Sequence, residues 1–228
     1  MSYNIRNGIG IDNIQDIGRI AQVILREAPD LVALQELDSA TLRVDGRYIP
    51  GELGRMTGMH ATFGRAIGFA GGSYGVGLLS RTEPLAVRSI PLPGREEARV
   101  LLMAEFPDYT VCVTHLSLTP EDRHASLPLI LQATDTCRKP VLLAGDFNTG
   151  DAAAVLAGLG GGFRILSDTT RMTFPSDNPA VRIDYILGRG LPTSATVTES
   201  AVNHTATASD HCPLWVTLAW KRGKQPRK

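Results

Sequence analysis

The sequence is poor in cysteine, in long apolar runs and in net charge. Its three cysteines, Cys112, Cys137 and Cys212, are scattered and form no CxxC pair. That excludes a disulfide framework and a zinc knuckle, and leaves the thiols to be read as small buried hydrophobes. Apolar runs such as Leu31–Leu34 and Val141–Ala144 fall far short of the roughly 20 residues that span a bilayer, so no transmembrane segment is expected. No charged stretch followed by an apolar core marks a signal peptide, and a cytoplasmic protein is expected. In that setting the sequon Asn203-His204-Thr205 carries no meaning. P-loop, HExxH and strand-to-helix G-x-G-x-x-G motifs are all missing, as are a Pro/Ser linker and an obvious repeat.

What remains is an ordinary globular composition over 228 residues, 43% apolar and 20% charged. The chain is long enough to bury its own core without a staple. One domain over 1–220 is expected, since no linker divides the chain, with a basic, disordered tail at 221–228; a monomer is expected too. Lys plus Arg and Asp plus Glu both number 23, but five of the bases lie in Lys221–Lys228. The body therefore holds 18 bases against 23 acids. Duplex binding depends on neutralising phosphates, so nucleic acid is a possible partner that the charge does not favour.

Short apolar strands alternate with helical stretches. Strands are predicted at Met1–Arg6, Leu31–Leu37, Val76–Ser80, Val100–Phe106, Tyr109–Thr114, Val141–Gly145, Ile183–Leu187, Ala195–Ala201 and Leu214–Trp220. Asp12 with Gln15 forms a capping box for a helix carrying Ile14, Ile17, Ile20, Ala21, Ile24 and Leu25, which Pro29 stops. Glu52–Gly58 and Asp151–Leu159 read as short helices. Thr119-Pro120-Glu121-Asp122 opens a longer one that runs to about Cys137 and kinks at Pro128. The pattern predicts an α/β fold, two mixed sheets packed face to face with helices outside.

Polar residues capable of chemistry sit at or just beyond strand ends: Asn4, Glu36, His115, Asp146, Asn148, Asp184, Asp210 and His211. Each alone has an ordinary explanation, such as turn or cap chemistry. Their combination does not, because carboxylates and amides end several buried strands with two histidines beside them.

The segments that carry these residues are Ser2-Tyr3-Asn4-Ile5-Arg6, Leu34-Gln35-Glu36, Tyr74–Arg81, Thr114-His115-Leu116, Gly145-Asp146-Phe147-Asn148, Arg182-Ile183-Asp184-Tyr185-Ile186 and Ser209-Asp210-His211. In content and order they resemble the endonuclease/exonuclease/phosphatase family of the bacterial type, with its DNase-I-like four-layer α/β sandwich. The resemblance implies a divalent-metal-dependent phosphoester hydrolase, of phosphodiesterase or nuclease type, using activated water for in-line attack on phosphorus. A sugar-, inositol- or lipid-phosphate hydrolase of the same fold is the alternative. The short stretch between Asn148 and Arg182, with the acidic body, argues against abasic-site repair.

By the same resemblance Glu36 is the principal metal ligand, assisted by Asn4, and Asp210 contacts the same ion or a second one. An oxygen donor set without thiolates suits Mg²⁺ or Mn²⁺. Asp146 orients or deprotonates water and Asn148 holds a phosphate oxygen. Asp184 partners His211, which binds phosphate or shares the general-base role with Asp146. His115 is a phosphate contact or general acid, with Arg99 in support. A rival lies in Gly71-Gly72-Ser73-Tyr74-Gly75, which fits the G-x-S-x-G of serine hydrolases. That motif needs a strand before the serine and a helix after it, whereas a strand is predicted at Val76.

Overall fold

The computed structural model describes residues 1–160 and 162–220, so the expected basic tail lies outside the described residues. Twelve strands form two six-stranded mixed sheets. In chain order they are β1 (Ser2–Asn4), β2 (Leu31–Ser39), β3 (His60–Phe69), β4 (Gly72–Ser80), β5 (Ala86–Leu92), β6 (Arg99–Glu105), β7 (Thr110–His115), β8 (Val141–Asp146), β9 (Arg164–Ile165), β10 (Asp184–Arg189), β11 (Thr196–Val202) and β12 (Leu214–Ala219). The helices are α1 (Ile17–Glu27), α2 (Ile49–Thr57), α3 (Pro120–Asp135) and α4 (Ala152–Leu159). One sheet has the order β11-β12-β1-β2-β4-β3 and the other β5-β6-β7-β8-β10-β9.

The two sheets share one wiring scheme. Each contains a single parallel pair, β1 with β2 and β7 with β8, flanked on both sides by antiparallel neighbours. In each, a helix, α1 or α3, lies in the connection between the parallel strands, as parallel pairing requires.

Side-chain alternation along the strands divides the core into three layers. Tyr3, Val32, Leu34 and Leu37 pack outward against Ile17, Ile20 and Ile24 of α1 and Leu53 of α2. Cys112, Leu143, Tyr185 and Leu187 pack outward against α3 and α4 through Leu127, Ile130 and Val155. Between the sheets lie Ala33, Leu78, Leu102, Val113, Ala144 and Ile186. The result is the DNase-I-like four-layer α/β sandwich. Among the described residues no helix is long and apolar enough to cross a membrane.

Several local expectations change. α1 begins at Ile17, with the Asp16 side chain accepting from the backbone of Gly18 and Arg19. Asp12 instead closes the preceding turn through the Ile14 amide, and Gln15 donates to the Asn7 carbonyl. The apolar period extends one turn too early because Ile14 belongs to that turn and is exposed. α3 runs through Pro128 as one helix and Thr119 makes no side-chain cap bond. Strands β3, β5 and β9 lack the expected signals, and all three are sheet edges.

Candidate active site

The alternation that builds the inter-sheet core also builds the site. On β7, Val111 and Val113 point between the sheets, so His115 does too. On β8 the inward series is Leu142, Ala144 and then Asp146, and on β10 Asp184 precedes inward-facing Ile186. Register aligns the three polar ends, with His115 opposite Asp146 and Asp146 opposite Asp184. A row of three buried polar residues therefore crosses three adjacent strands. Gly145 permits the close strand approach beside it, since a Cβ there would lie 2.0 Å from the Thr114 carbonyl oxygen.

The other sheet supplies Asn4 and Glu36. Tyr3 and Ile5 face the outer core, which leaves Asn4 facing inward. Glu36 owes its position to a break in the alternation. Leu34 and Leu37 both pack in the outer core, three residues apart, and the β2–β4 register shifts between them. Glu36, with φ of 56°, is part of this bulge. A bulge re-aims a side chain in this way. In an unbroken strand Glu36 would share the parity of Leu34 and enter the apolar outer core.

One amide joins the two halves. Asn4 Nδ2 donates to Glu36 Oε1 at 3.0 Å and to Asp146 Oδ2 at 3.1 Å. Ser209 Oγ in turn donates to the Asn4 carbonyl at 2.7 Å, tying the loop of Asp210 and His211 to β1. His211 Nδ1 lies 3.0 Å from Asp184 Oδ2. Its Nε2 lies 3.7 Å from Asp146 Oδ2, and His115 Nε2 lies 3.5 Å from the same oxygen. Asn148, with φ of 51°, donates from its backbone to Asp146 Oδ1 and from Nδ2 to the Leu116 carbonyl, both at 2.8 Å. Asp210 is partly exposed and faces Arg6 Nε at 3.5 Å. Arg99 is buried and paired with Glu96 and Glu97; it shares a small cleft with His115, Glu97 and Tyr74.

The two histidines sit in opposite electrostatic settings. Burial disfavours the His211 imidazolium, but the adjacent Asp184 carboxylate, helped by Asp146 and Asp210, outweighs burial and lifts the ring to about 10. Burial also dominates at His115, where Asp146 compensates only in part and Arg99 opposes the charge, and the ring falls to about 4. Glu36 is raised by burial, against the Asn4 hydrogen bond, with further pressure from Asp210 and Asp146. Asp146 is raised by burial and by the Asp184 charge.

These residues fit a divalent cation. Ligand atoms of Asp146, Asp184 and His211 lie within 4.8 Å of one another, a cluster that can hold a metal. Asp184 Oδ1 is buried without a hydrogen-bond partner. Glu36 and Asn4 add oxygen donors beside Asp146, and a hard cation would stabilise the ionised carboxylates that burial and their neighbours' charges disfavour.

The structure thus brings Asn4, Glu36, His115, Asp146, Asn148, Asp184, Asp210 and His211 to one end of the sandwich. Sequence reasoning missed Phe174, whose ring lies 4.8 Å from that of His211, and Ser209 as the tie to Asn4. Phe174 comes from an irregular segment that carries no periodic signal; Ser209 was visible only as part of a motif. Ser73 lies inside β4, paired with Ser39 and Gly68, and no helix follows it, so the serine-hydrolase elbow is not formed.

A sequence profile described as "Endonuclease/Exonuclease/phosphatase family" matches residues 1–211. No curated protein matches the chain. Several solved structures share the fold. An endonuclease/exonuclease/phosphatase from Beutenbergia cavernae DSM 12333 is 23% identical with a TM-score of 0.72, over 95% of this chain and 70% of that one. The mannosyl-6-phosphatase Bt3783 of Bacteroides thetaiotaomicron VPI-5482 is 19% identical with a TM-score of 0.75, over 96% and 98%. D. rerio TDP2, complexed with single strand DNA product, is 23% identical with a TM-score of 0.73, over 96% and 97%.

Proposed function

This chain belongs to the endonuclease/exonuclease/phosphatase family, and from that premise we propose that it hydrolyses phosphodiesters by in-line attack of water on phosphorus, without a covalent intermediate. The observation that carries the proposal is the double hydrogen bond of Asn4, which couples Glu36 to Asp146. It joins an oxygen-rich cation site to a carboxylate–imidazole pair suited to moving protons.

Glu36, Asn4 and Asp210 would hold the ion, and Mg²⁺ or Mn²⁺ suits them. When bound, such an ion neutralises charge on the phosphate and its leaving oxygen. We assign His211 to proton handling because its Nδ1 is committed to Asp184 at 3.0 Å; the cluster of Asp146, Asp184 and His211 is the other place an ion could be held. Asp146 Oδ2 would accept the proton of the attacking water. Asn4 bonds that oxygen and fixes its direction, with the Nε2 atoms of His115 and His211 3.5 Å and 3.7 Å away. Asp184 holds the His211 ring through Nδ1, so that Nε2 is free to donate to a phosphate oxygen. His115, neutral near pH 7, serves as a hydrogen-bond partner of the phosphate or of the departing oxygen. One Asn148 amide hydrogen is committed to Leu116, which leaves the other for the phosphate. Arg99 supports His115.

Phosphomonoester hydrolysis is the second reading, because one structural neighbour is a mannosyl-6-phosphatase. The deciding experiment assays phosphomonoesters, phosphodiesters, oligonucleotides and glycerophospholipids with Mg²⁺ or Mn²⁺ and with chelator. Metal-dependent turnover of diesters above monoesters is expected. Chelator-resistant turnover of every substrate would refute a metal-dependent mechanism.

A further inference from the structure

Beside Glu36 the structure holds an arginine whose placement the reaction itself does not require. Arg43 lies in the short turn of helix Leu42–Val44 that follows β2. Its Nε and Nη2 both bond Asp38, the latter at 3.0 Å, and Nη2 also donates to Asn7 Oδ1 at 2.7 Å. Asp38 follows the Glu36 bulge on β2, and Asn7 follows Asn4 beyond β1. The two segments that carry Asn4 and Glu36 therefore also carry the anchors of Arg43. Its position relative to them is fixed.

The guanidinium is also clamped by rings. Its carbon lies 4.6 Å from the centre of the Phe69 ring and 5.2 Å from that of Tyr74. Tyr74 in turn lines the cleft that contains His115 and Arg99, so a continuous wall runs from His115 to Arg43. The Asp38 side chain is 0% exposed, whereas the Arg43 side chain is 36% exposed. Its Nη1 has no hydrogen-bond partner among the described residues. A fully buried carboxylate is unfavourable unless paired. Here the pairing locks the guanidinium beside the site and leaves the two hydrogens of Nη1 uncommitted among the described residues. Phe69 is 40% exposed, and Leu42, whose backbone bonds Ala70 at 2.8 Å, is 77% exposed, which gives the rim an apolar face.

We propose that Arg43 and Phe69 form a second subsite, which takes an anionic oxygen group other than the phosphate being cleaved, with an attached ring lying on Phe69. Arginine suits this because the guanidinium stays charged and Nη1 keeps two donors for an anionic oxygen. An aromatic face suits the ring. The inference rests on the phosphoester-hydrolase reading and narrows its substrate to a molecule with two anionic groups. Two sources share this chemistry, the neighbouring phosphate of a single-stranded nucleic acid and the second phosphate of a sugar bisphosphate.

The test pairs kinetics with binding. Wild type, Arg43→Gln, Arg43→Lys and Phe69→Ala are assayed on bis(p-nitrophenyl) phosphate, on a 5′-phosphorylated thymidine dinucleotide and on a hexose bisphosphate, with Mg²⁺. The ratio of kcat/KM for a two-phosphate substrate to that for bis(p-nitrophenyl) phosphate is expected to fall about 10- to 100-fold in Arg43→Gln, the range for losing one charged hydrogen bond. The fall is expected mainly in KM, and Arg43→Lys should restore only part of it. The Asp38→Asn/Arg43→Gln double variant removes both charges of the pair and guards against misfolding of the single one. Calorimetry in chelator measures binding of the same two ligands without turnover. Arg43-dependent binding without any turnover would leave the subsite standing and overturn the catalytic reading. Turnover with an unchanged ratio and unchanged binding would overturn the subsite alone. Whichever two-phosphate ligand shows the Arg43 dependence identifies the source.

Discussion

His115 and His211 approach the same atom, Asp146 Oδ2, through Nε2 at 3.5 Å and 3.7 Å, yet they hold protons over different pH ranges. The difference lies behind the rings. His211 has Asp184 on its other nitrogen, whereas His115 has burial and the Arg99 charge against protonation. A neutral and a charged imidazole thus flank one carboxylate.

This asymmetry predicts the titration of the metal-free protein. In ring-resolved NMR, His211 should remain charged until the pH rises to about 10, and His115 should remain neutral until it falls to about 4. The signs for stability follow. His211 is raised, so its contribution is complete below its unfolded value of roughly 6.5 and is lost as pH rises through about 10. His115 is lowered, so its contribution is present above that unfolded value and is lost as pH falls through about 4. Thermal midpoints of wild type and Asp184→Asn across pH check this, since Asp184→Asn should flatten the alkaline limb.

Asp146→Asn and His211→Ala should each lower kcat by roughly 10²-fold or more, the scale for losing an acid–base group. Asp184→Asn should lose less, because the ring remains and only its charge partner is gone. The Asp184→Asn/His211→Ala double variant should be hardly worse than His211→Ala, since groups acting as a unit lose activity non-additively. Steady-state kinetics with circular dichroism as a folding control measures all four. Additive losses would separate Asp184 from His211.

Chelation should abolish turnover, and Mg²⁺ or Mn²⁺ should restore it. Glu36→Gln should regain part of its activity at high metal concentration, because it weakens binding and leaves proton transfer intact. Asn4→Ala should show both defects, since its amide touches Glu36 and Asp146 alike. A metal titration of kcat separates the two patterns.

Gly145→Ala should destabilise the fold by more than ~3 kcal/mol, the scale of severe overpacking. The added carbon would overlap the Thr114 carbonyl, 2.0 Å away, and push β7 from β8. Denaturant unfolding gives the loss. Activity should fall with it, because the His115–Asp146 register depends on that pairing.

The interior of the fold was legible because buried strands announce themselves. Leu31–Leu37, Val141–Gly145 and Tyr109–Thr114 stand out as apolar runs with polar ends, and those ends supply most of the site. The edge strands did not. β5 is exposed over most of its length and contains Pro91, and β3 carries Gly64 and Gly68, so neither reads as an unbroken apolar run. The bulge at Glu36 was equally hidden, because it follows from packing Leu34 and Leu37 on the same side, which only the tertiary structure imposes. Phe174 meets His211 through a segment without regular structure, where no period exists to be read.

The single amide of Asn4 makes the active centre a gauge of how the two sheets are seated on each other. Asn4 and Glu36 travel with one sheet and Asp146 with the other, and a slip of an ångström along their interface would break the 3.1 Å bond to Asp146. The grip that resists such a slip is the apolar layer of Ala33, Leu102, Ala144 and Ile186, none of which takes part in the reaction. Loosening that layer would blunt the chemistry while both sheets were still intact, so catalysis would fade on warming before the chain melts.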